Sequence, residues 1–400
     1  MAMRVRLLLS SVLLLSTMWL IGCGHYTCGV TFGSSTCTPS GGGVNQGGGG
    51  NTISQTAFVY FMNDSAAQMA VEGLNVADSQ TFAEVSSFVS PTFPNTLGAD
   101  GGVVIVNKTY LYVPFENGFL YGFSIDAATG ALTAVPNSSY TLTGSGTTIA
   151  ADPSGAVLFV GGSAGISVFT VNPNDGSLTA VATTSTGSIT PTQLLTDGSG
   201  KYLYALTGGT ITAFSYTPSG VLGPVTGSPF SFSPSMAQLA AESTGTFLLG
   251  ITGETGGGSG AIDKNIYVLS IVSGGGLTTF GSPTPTQSSP GYLAVSPNGK
   301  FVYTFDQTVT ATGATDDPME GFAFSTGTLT ELTGVSPFTG LDAQLGKFDQ
   351  SGQYIFAVAS VPGSSFPGEF AYGVDSTGAL SNTLAHAGVV SLSFAVTDEP

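Results

Sequence analysis

From Thr56 onward, apolar and polar positions alternate in short runs, and the runs repeat. An apolar quartet occurs at Phe58–Phe61, Tyr110–Val113, Val157–Val160, Tyr202–Ala205, Phe247–Gly250, Phe301–Thr304 and Tyr354–Ala357. Successive quartets begin 52, 47, 45, 45, 54 and 53 residues apart. Runs this short, rich in Val, Tyr and Phe and bounded by turn residues, predict strands rather than helices. Five quartets follow a turn ending in glycine, at Gly155, Gly200, Gly245, Gly299 and Gly352. Asp152-Pro153-Ser154-Gly155 and Ser296-Pro297-Asn298-Gly299 are the clearest. Glycine there supplies the positive φ of a tight hairpin.

A second signature, Gly-x-Leu, follows a later strand in each unit, at Gly130, Gly176, Gly220, Gly275, Gly327 and Gly378. Each unit therefore reads strand, turn, strand, longer loop, strand, turn, strand. Four short strands repeating at about 45–50 residues are the mark of a propeller blade. Ser393–Asp398 reads as the first strand of a unit with no second strand after it, and the unit opening at Ala57 has no first strand before it. The expectation is an all-β, seven-bladed β-propeller of four-stranded blades over residues 56–400, with one blade closed by N- and C-terminal strands. Sharing a blade between the chain ends covers strand edges that would otherwise be exposed.

The first 55 residues carry a different pattern. Met1–Arg6 is basic and Leu7–Leu20 almost wholly apolar, too short for a comfortable span, so residues 1–22 read as an export signal peptide. Leu20-Ile21-Gly22-Cys23 resembles the bacterial lipobox. That resemblance implies cleavage before Cys23, acylation there and a membrane anchor made of acyl chains. Gly24, rather than Asp, follows the cysteine, which in a diderm cell points to the outer membrane. Residues 23–55 are then a lipidated cysteine and a Gly-rich linker, the Ser40–Asn51 run being flexible by composition. Cys28 and Cys37 are the pair an oxidising compartment would join in a disulfide, with free or differently paired thiols as the alternative.

Charge narrows the partners. Arg4 and Arg6 are the only arginines, and from Cys23 onward five lysines face 24 acidic residues, a net charge of −19. Nucleic acid demands a basic footprint, so it is excluded as a partner, and electrostatic docking on anionic lipid is disfavoured.

The phrases Ile166-Ser167-Val168-Phe169-Thr170-Val171-Asn172, Asp175-Gly176-Ser177-Leu178-Thr179 and Ser296-Pro297-Asn298-Gly299-Lys300-Phe301-Val302-Tyr303 resemble those of the bacterial lactonase-type seven-bladed propellers. That group includes 6-phosphogluconolactonase-like and muconate-cyclase-like proteins. The resemblance covers roughly residues 56–400 and implies the propeller fold and lactone hydrolysis. In that family the innermost strand often opens with a Pro-Arg-His-Leu-like phrase near the central channel. Here the matching stretches are Pro191-Thr192-Gln193-Leu194, Met236-Ala237-Gln238-Leu239 and Pro290-Gly291-Tyr292-Leu293, without the Arg or His. Phosphate recognition favours Arg, and hydrolysis favours a tuned base; the one propeller histidine is His386.

Strand order places the loops between second and third strands, Ile251–Asp263, Asp306–Pro318 and Ser360–Gly368, at one end with the connections between units. Thr148, Gln193, Gln238 and Tyr292 fall at equivalent positions near the start of inner strands, so they are the expected contacts at the channel mouth. Such a neutral ring suits a glycan, a peptide or an envelope protein; the plainer alternative is inert polar lining. Glu254, Asp263, Asp306, Asp316, Asp317 and Glu320 collect at the same end. Asp316, Asp317 and Glu320 are weak candidates to hold Ca²⁺ through oxygen ligands, against solvated loop charge; no other cofactor is indicated. No Gly-x-Ser-x-Gly elbow, phosphate loop or zinc spacing occurs. Two functions follow: an envelope lipoprotein whose propeller binds a ligand or protein with a degenerate active site, or a lactone hydrolase with an altered site. A purely structural envelope role is a third.

Overall fold

A computed structural model describes residues 26–31, 34–39, 57–63, 68–75, 81–84, 102–115, 117–182, 186, 189–253, 263–306, 319–332, 342–360, 367–387 and 394–396. The signal segment, Cys23, the Ser40–Asn51 linker, Glu254, Asp316, Asp317 and the central parts of the three long loops lie outside the described residues. The chain divides into two compact units, residues 1–52 and 53–400. In the first, Tyr26–Thr31 and Ser34–Pro39 form an antiparallel hairpin whose register sets Cys28 directly opposite Cys37.

The second unit is an all-β propeller built of antiparallel meanders. One sheet runs Val104–Val106, Tyr110–Phe115 and Phe119–Ile125, with Leu132–Ala134 and Tyr140–Thr141 both pairing the third strand. The next is Gly146–Ala151, Val157–Gly162, Gly165–Val171 and Leu178–Ala180. Then come Gln193–Thr196, Tyr202–Thr207, Thr210–Tyr216 and Leu222–Pro224, and after them Gln238–Ala241, Phe247–Ile251, Asn265–Ile271 and Leu277–Thr279. Pro290–Val295, Phe301–Asp306, Glu320–Ser325 and Thr328–Glu331 form another sheet, followed by Asp342–Phe348, Tyr354–Ser360, Pro367–Val374 and Leu380–Ala387. Phe394–Val396 pairs with Ala57–Asn63, which continues into Gln68–Asn75 and Thr81–Glu84. The register of that pairing sets Val396 opposite Val59 and Phe394 opposite Phe61.

The predicted quartets are the second strands. Most of their described positions are buried, and Tyr60, Tyr112, Tyr204 and Tyr303 are fully enclosed. The buried phenols find partners across the seams between sheets, as enclosed hydroxyls must. Tyr60 donates to the Gly130 carbonyl at 2.8 Å, Tyr112 to Gly176 at 2.6 Å, Tyr204 to Gly275 at 3.0 Å and Tyr303 to Gly378 at 2.5 Å. The acceptors are glycines of the Gly-x-Leu signature. At Gly176, with φ 70°, a Cβ would lie 2.4 Å from the Tyr110 ring, so the residue is fixed both by backbone conformation and by the aromatic ring of the preceding sheet.

The hairpins between first and second strands are held by buried acceptors. Asp152 Oδ1 accepts from Val157 N–H at 2.7 Å, Asp197 Oδ1 from Tyr202 N–H at 2.7 Å, and Asp349 Oδ1 from Tyr354 N–H at 2.9 Å. Ser296 Oγ takes the same place at 2.9 Å from Phe301 N–H. These acceptors have 8%, 0%, 2% and 1% of their surfaces exposed, so they serve the backbone and not a ligand.

Candidate functional site

The leading strands of neighbouring sheets lie side by side, which puts their free edges at the centre of the propeller. Such an edge carries unpaired N–H and C=O groups. The residues expected at the channel mouth meet that need. Gln193 Nε2 donates to the Leu239 carbonyl at 2.7 Å, and its Oε1 accepts from Leu239 N–H at 2.8 Å. Gln238 repeats this one sheet on, donating to the Leu293 carbonyl at 3.2 Å and accepting from Leu293 N–H at 2.9 Å. Thr148 Oγ1 accepts from Leu194 N–H at 3.1 Å. Each side chain acts as a rung joining its strand to the leading strand of the next sheet.

Tyr292 departs from the pattern. It follows a register shift between Pro290 and Tyr292, and its ring packs edge-on against Phe305 with centroids 6.3 Å apart. Burial pushes its phenol up to about 12, so it remains protonated at neutral pH. The structure thus places all four residues along the leading strands and gives three of them inter-sheet backbone partners.

The ends of the second and third strands do meet the connections between units. Thr286 N–H donates to the Lys264 carbonyl at 2.9 Å, Lys264 Nζ to the Gln287 carbonyl at 2.8 Å, and Ser289 Oγ to the Asp263 carbonyl at 3.1 Å. Asp263 accepts from Thr252 Oγ1 at 3.2 Å and Tyr267 Oη at 2.8 Å. Glu320 is 1% exposed and accepts from Gln287 N–H at 2.9 Å and Ser288 N–H at 3.1 Å. Burial raises its pKa, and those bonds only partly offset the effect. Its role as a cation ligand does not fit this arrangement, because its oxygens already hold the crossover. Among the described residues, no group of three or more His, Cys, Asp or Glu side chains could hold a metal ion. Thr304, opposite Glu320 in the register, has a buried hydroxyl with no hydrogen-bond partner among the described residues.

Lys347 was not singled out by sequence reasoning. It stands on the leading strand Asp342–Phe348, opposite Phe356, and burial lowers its pKa to about 8. Aligned by register, the other leading strands carry Val104, Ala150, Leu195, Ala240, Ala294 and Ala395 there. A lysine in an otherwise apolar column was the signal available.

At the opposite end, a cleft of about 370 Å³ opens between the sheets led by Gln238 and Pro290. Phe247, Phe324, Thr244, Thr246, Asn298 and Thr326 line it. Glu242 at its base accepts from Thr244 N–H at 2.7 Å, Thr246 N–H at 2.6 Å and Phe247 N–H at 3.0 Å. Burial opposes its charge, but these donors outweigh burial and hold its pKa below the ordinary carboxylate value.

With this geometry in place, comparison with known proteins identifies the architecture. Residues 107–229 match the family model described as "Lactonase, 7-bladed beta-propeller". That segment is similar to the lactonase-type propellers. No curated protein sequence matches the chain. Solved lactonase-type propellers share the fold. A candidate 6-phosphogluconolactonase of Bacteroides fragilis is 16% identical with a TM-score of 0.62, covering 87% of this chain and 99% of its own. A second candidate 6-phosphogluconolactonase, of Bacteroides uniformis, is 18% identical with a TM-score of 0.59, covering 86% and 99%. The periplasmic gluconolactonase of Pseudomonas aeruginosa is 16% identical with a TM-score of 0.60, also covering 86% and 99%. At such identities the likeness is one of fold.

Proposed function

We propose that the chain is an exported, lipid-anchored propeller of seven blades that binds a neutral ligand or an envelope protein at the end bearing the second-to-third-strand loops. In this reading Phe394–Val396 completes the last blade, Cys23 carries the acyl chains, and a Cys28–Cys37 disulfide closes the hairpin, supported by their opposed register. One observation carries the degenerate-site part of this reading, on which the choice of binding over hydrolysis rests. Gln193 and Gln238 stand where the family resemblance places His, with Thr192 and Ala237 where it places Arg, and both glutamine amides are engaged by neighbouring backbone. The architecture is retained while those positions serve assembly, and propellers host many functions on one scaffold.

The second reading is lactone hydrolysis, favoured by the family match over residues 107–229 and the fold shared with a periplasmic gluconolactonase. The two separate in one assay: the purified chain with 6-phosphogluconolactone and with gluconolactone, corrected for spontaneous opening, with and without Ca²⁺. The binding reading expects background rates on both. Turnover above background overturns it in favour of hydrolysis, and dependence of that turnover on Ca²⁺ would give the hydrolase reading a metal.

A further inference from the structure

We infer that the cleft between the sheets led by Gln238 and Pro290 is a binding site for a neutral pyranose sugar. It lies at the end away from the second-to-third-strand loops and is independent of the function proposed above. The turn joining the third and fourth strands is two residues, Thr326 and Gly327, in the sheet led by Pro290. The corresponding turns after Ile125, Val171, Tyr216, Ile271 and Val374 are five or six residues. The cleft lies beside this shortened turn, with Ser325 and Thr326 among its lining residues.

The shortened turn needs an unusual backbone. Thr326 has φ 51° and Gly327 φ 83°, as a two-residue hairpin demands at both central positions. A β-branched residue is disfavoured there, and backbone strain held in place by its surroundings clusters at ligand sites. Gly327 admits the aromatic shelf beside the cleft: its Cβ would lie 2.5 Å from the Phe280 ring and 2.9 Å from Phe247. Phe247 packs edge-on against Phe280 at 5.0 Å and Phe324 at 5.9 Å, and Phe280 is 40% exposed.

The lining chemistry selects the ligand. Ser243, Ser325 and Thr326 line the cleft beside the aromatic wall, together with Thr244 and Thr246, whose hydroxyls also hold Glu242 and each other, and Asn298, whose oxygen accepts from Ser296 and Lys300; no Lys or Arg is among the lining residues. Glu242, the single charged member, is turned to its own backbone and disfavours anions. A neutral pyranose matches this set, because it offers a C–H face to an aromatic ring and hydroxyls to the rim. The volume falls in the usual range for small ligands, about 300–1,000 Å³.

Saturation-transfer NMR on the full chain with D-glucose and cellobiose tests the site. Transfer is expected from at least one neutral sugar and not from gluconate. Ser325→Arg should fill the cleft from the exposed end of the third strand and weaken binding by about tenfold or more. Phe280→Ala, at a half-exposed ring, should weaken it while leaving circular dichroism unchanged. No transfer from either neutral sugar, equal transfer from gluconate, or transfer untouched by both substitutions overturns the assignment.

Discussion

Thr326 and Gly346 show how single residues carry the geometry of this propeller. Thr326 sits in left-handed backbone at φ 51°, where a β-branched side chain costs about 1–2 kcal/mol. Thr326→Asn should therefore stabilise the fold by about 1 kcal/mol, since Asn tolerates this region. Thermal melting reads the gain, and an unchanged or lower midpoint would contradict the strain argument. Gly346 fails in the opposite direction. A Cβ there would lie 2.0 Å from Cζ of Phe305, itself fully buried on the preceding sheet. Gly346→Ala should cost about 1–3 kcal/mol through overpacking. Phe305→Leu, by shortening the ring, should recover part of that loss in the double variant. Additive losses would show that the two residues are not coupled.

Between strands and sheets, the decisive contacts are rungs and clamps. Gln193→Met keeps the length of the side chain but leaves Leu239 N–H and C=O without their partner. The expected cost is about 1–3 kcal/mol. Gln193→Glu should be no better, because its carboxylate can accept from Leu239 N–H but repels the Leu239 carbonyl. Equal stability of Gln193→Met and the parent chain would return Gln193 to the pool of ligand contacts. The two buried glutamates predict opposite acid behaviour. Glu242 has a depressed pKa in the fold, so its contribution is present above the ordinary carboxylate value and lost as pH falls through the folded one. Glu320 has a raised pKa, so its contribution is greatest at low pH and is lost as pH rises through the folded value. Relative to the parent, Glu242→Gln should therefore lose less on acidification, and Glu320→Gln more. Melting curves across the acid range check both signs. Much of this scale was legible in the sequence. The quartets and the marking glycines located strands and turns, and Gly155, Gly200, Gly245, Gly299 and Gly352 all take φ near 70°. The use of Gln193 and Gln238 was not legible, because a strand pattern reveals a polar position near an edge but not what the adjacent edge needs. The cleft was hidden because its lining comes from two sheets, and the shortened turn beside it shows only when the spacing before Gly327 is compared with that of the other units.

At the scale of the whole molecule, the weak point of the closed ring proposed above is the seam between its end strands. Three paired positions join Phe394–Val396 to Ala57–Asn63, and the second of these strands also anchors the following sheet through Tyr60 and the Gly130 carbonyl. Without the final strand, Ala57–Asn63 becomes an uncovered edge, and its buried Phe58 and Tyr60 lose support on one side. Ending the chain before Phe394 should cost about 2–4 kcal/mol, from a few lost net hydrogen bonds at about 0.5–1.5 kcal/mol each and the packing that goes with them. The exposed edge should also make the shortened chain associate as its concentration rises. Restoring the last strand as a separate peptide should reverse both effects, because the edge it left is a template for antiparallel pairing. Should the shortened chain melt like the parent and stay monomeric, the seam would not be what shuts the ring. The inter-sheet rungs of Thr148, Gln193 and Gln238 would then carry the cohesion of the propeller by themselves, from blade to blade around the channel.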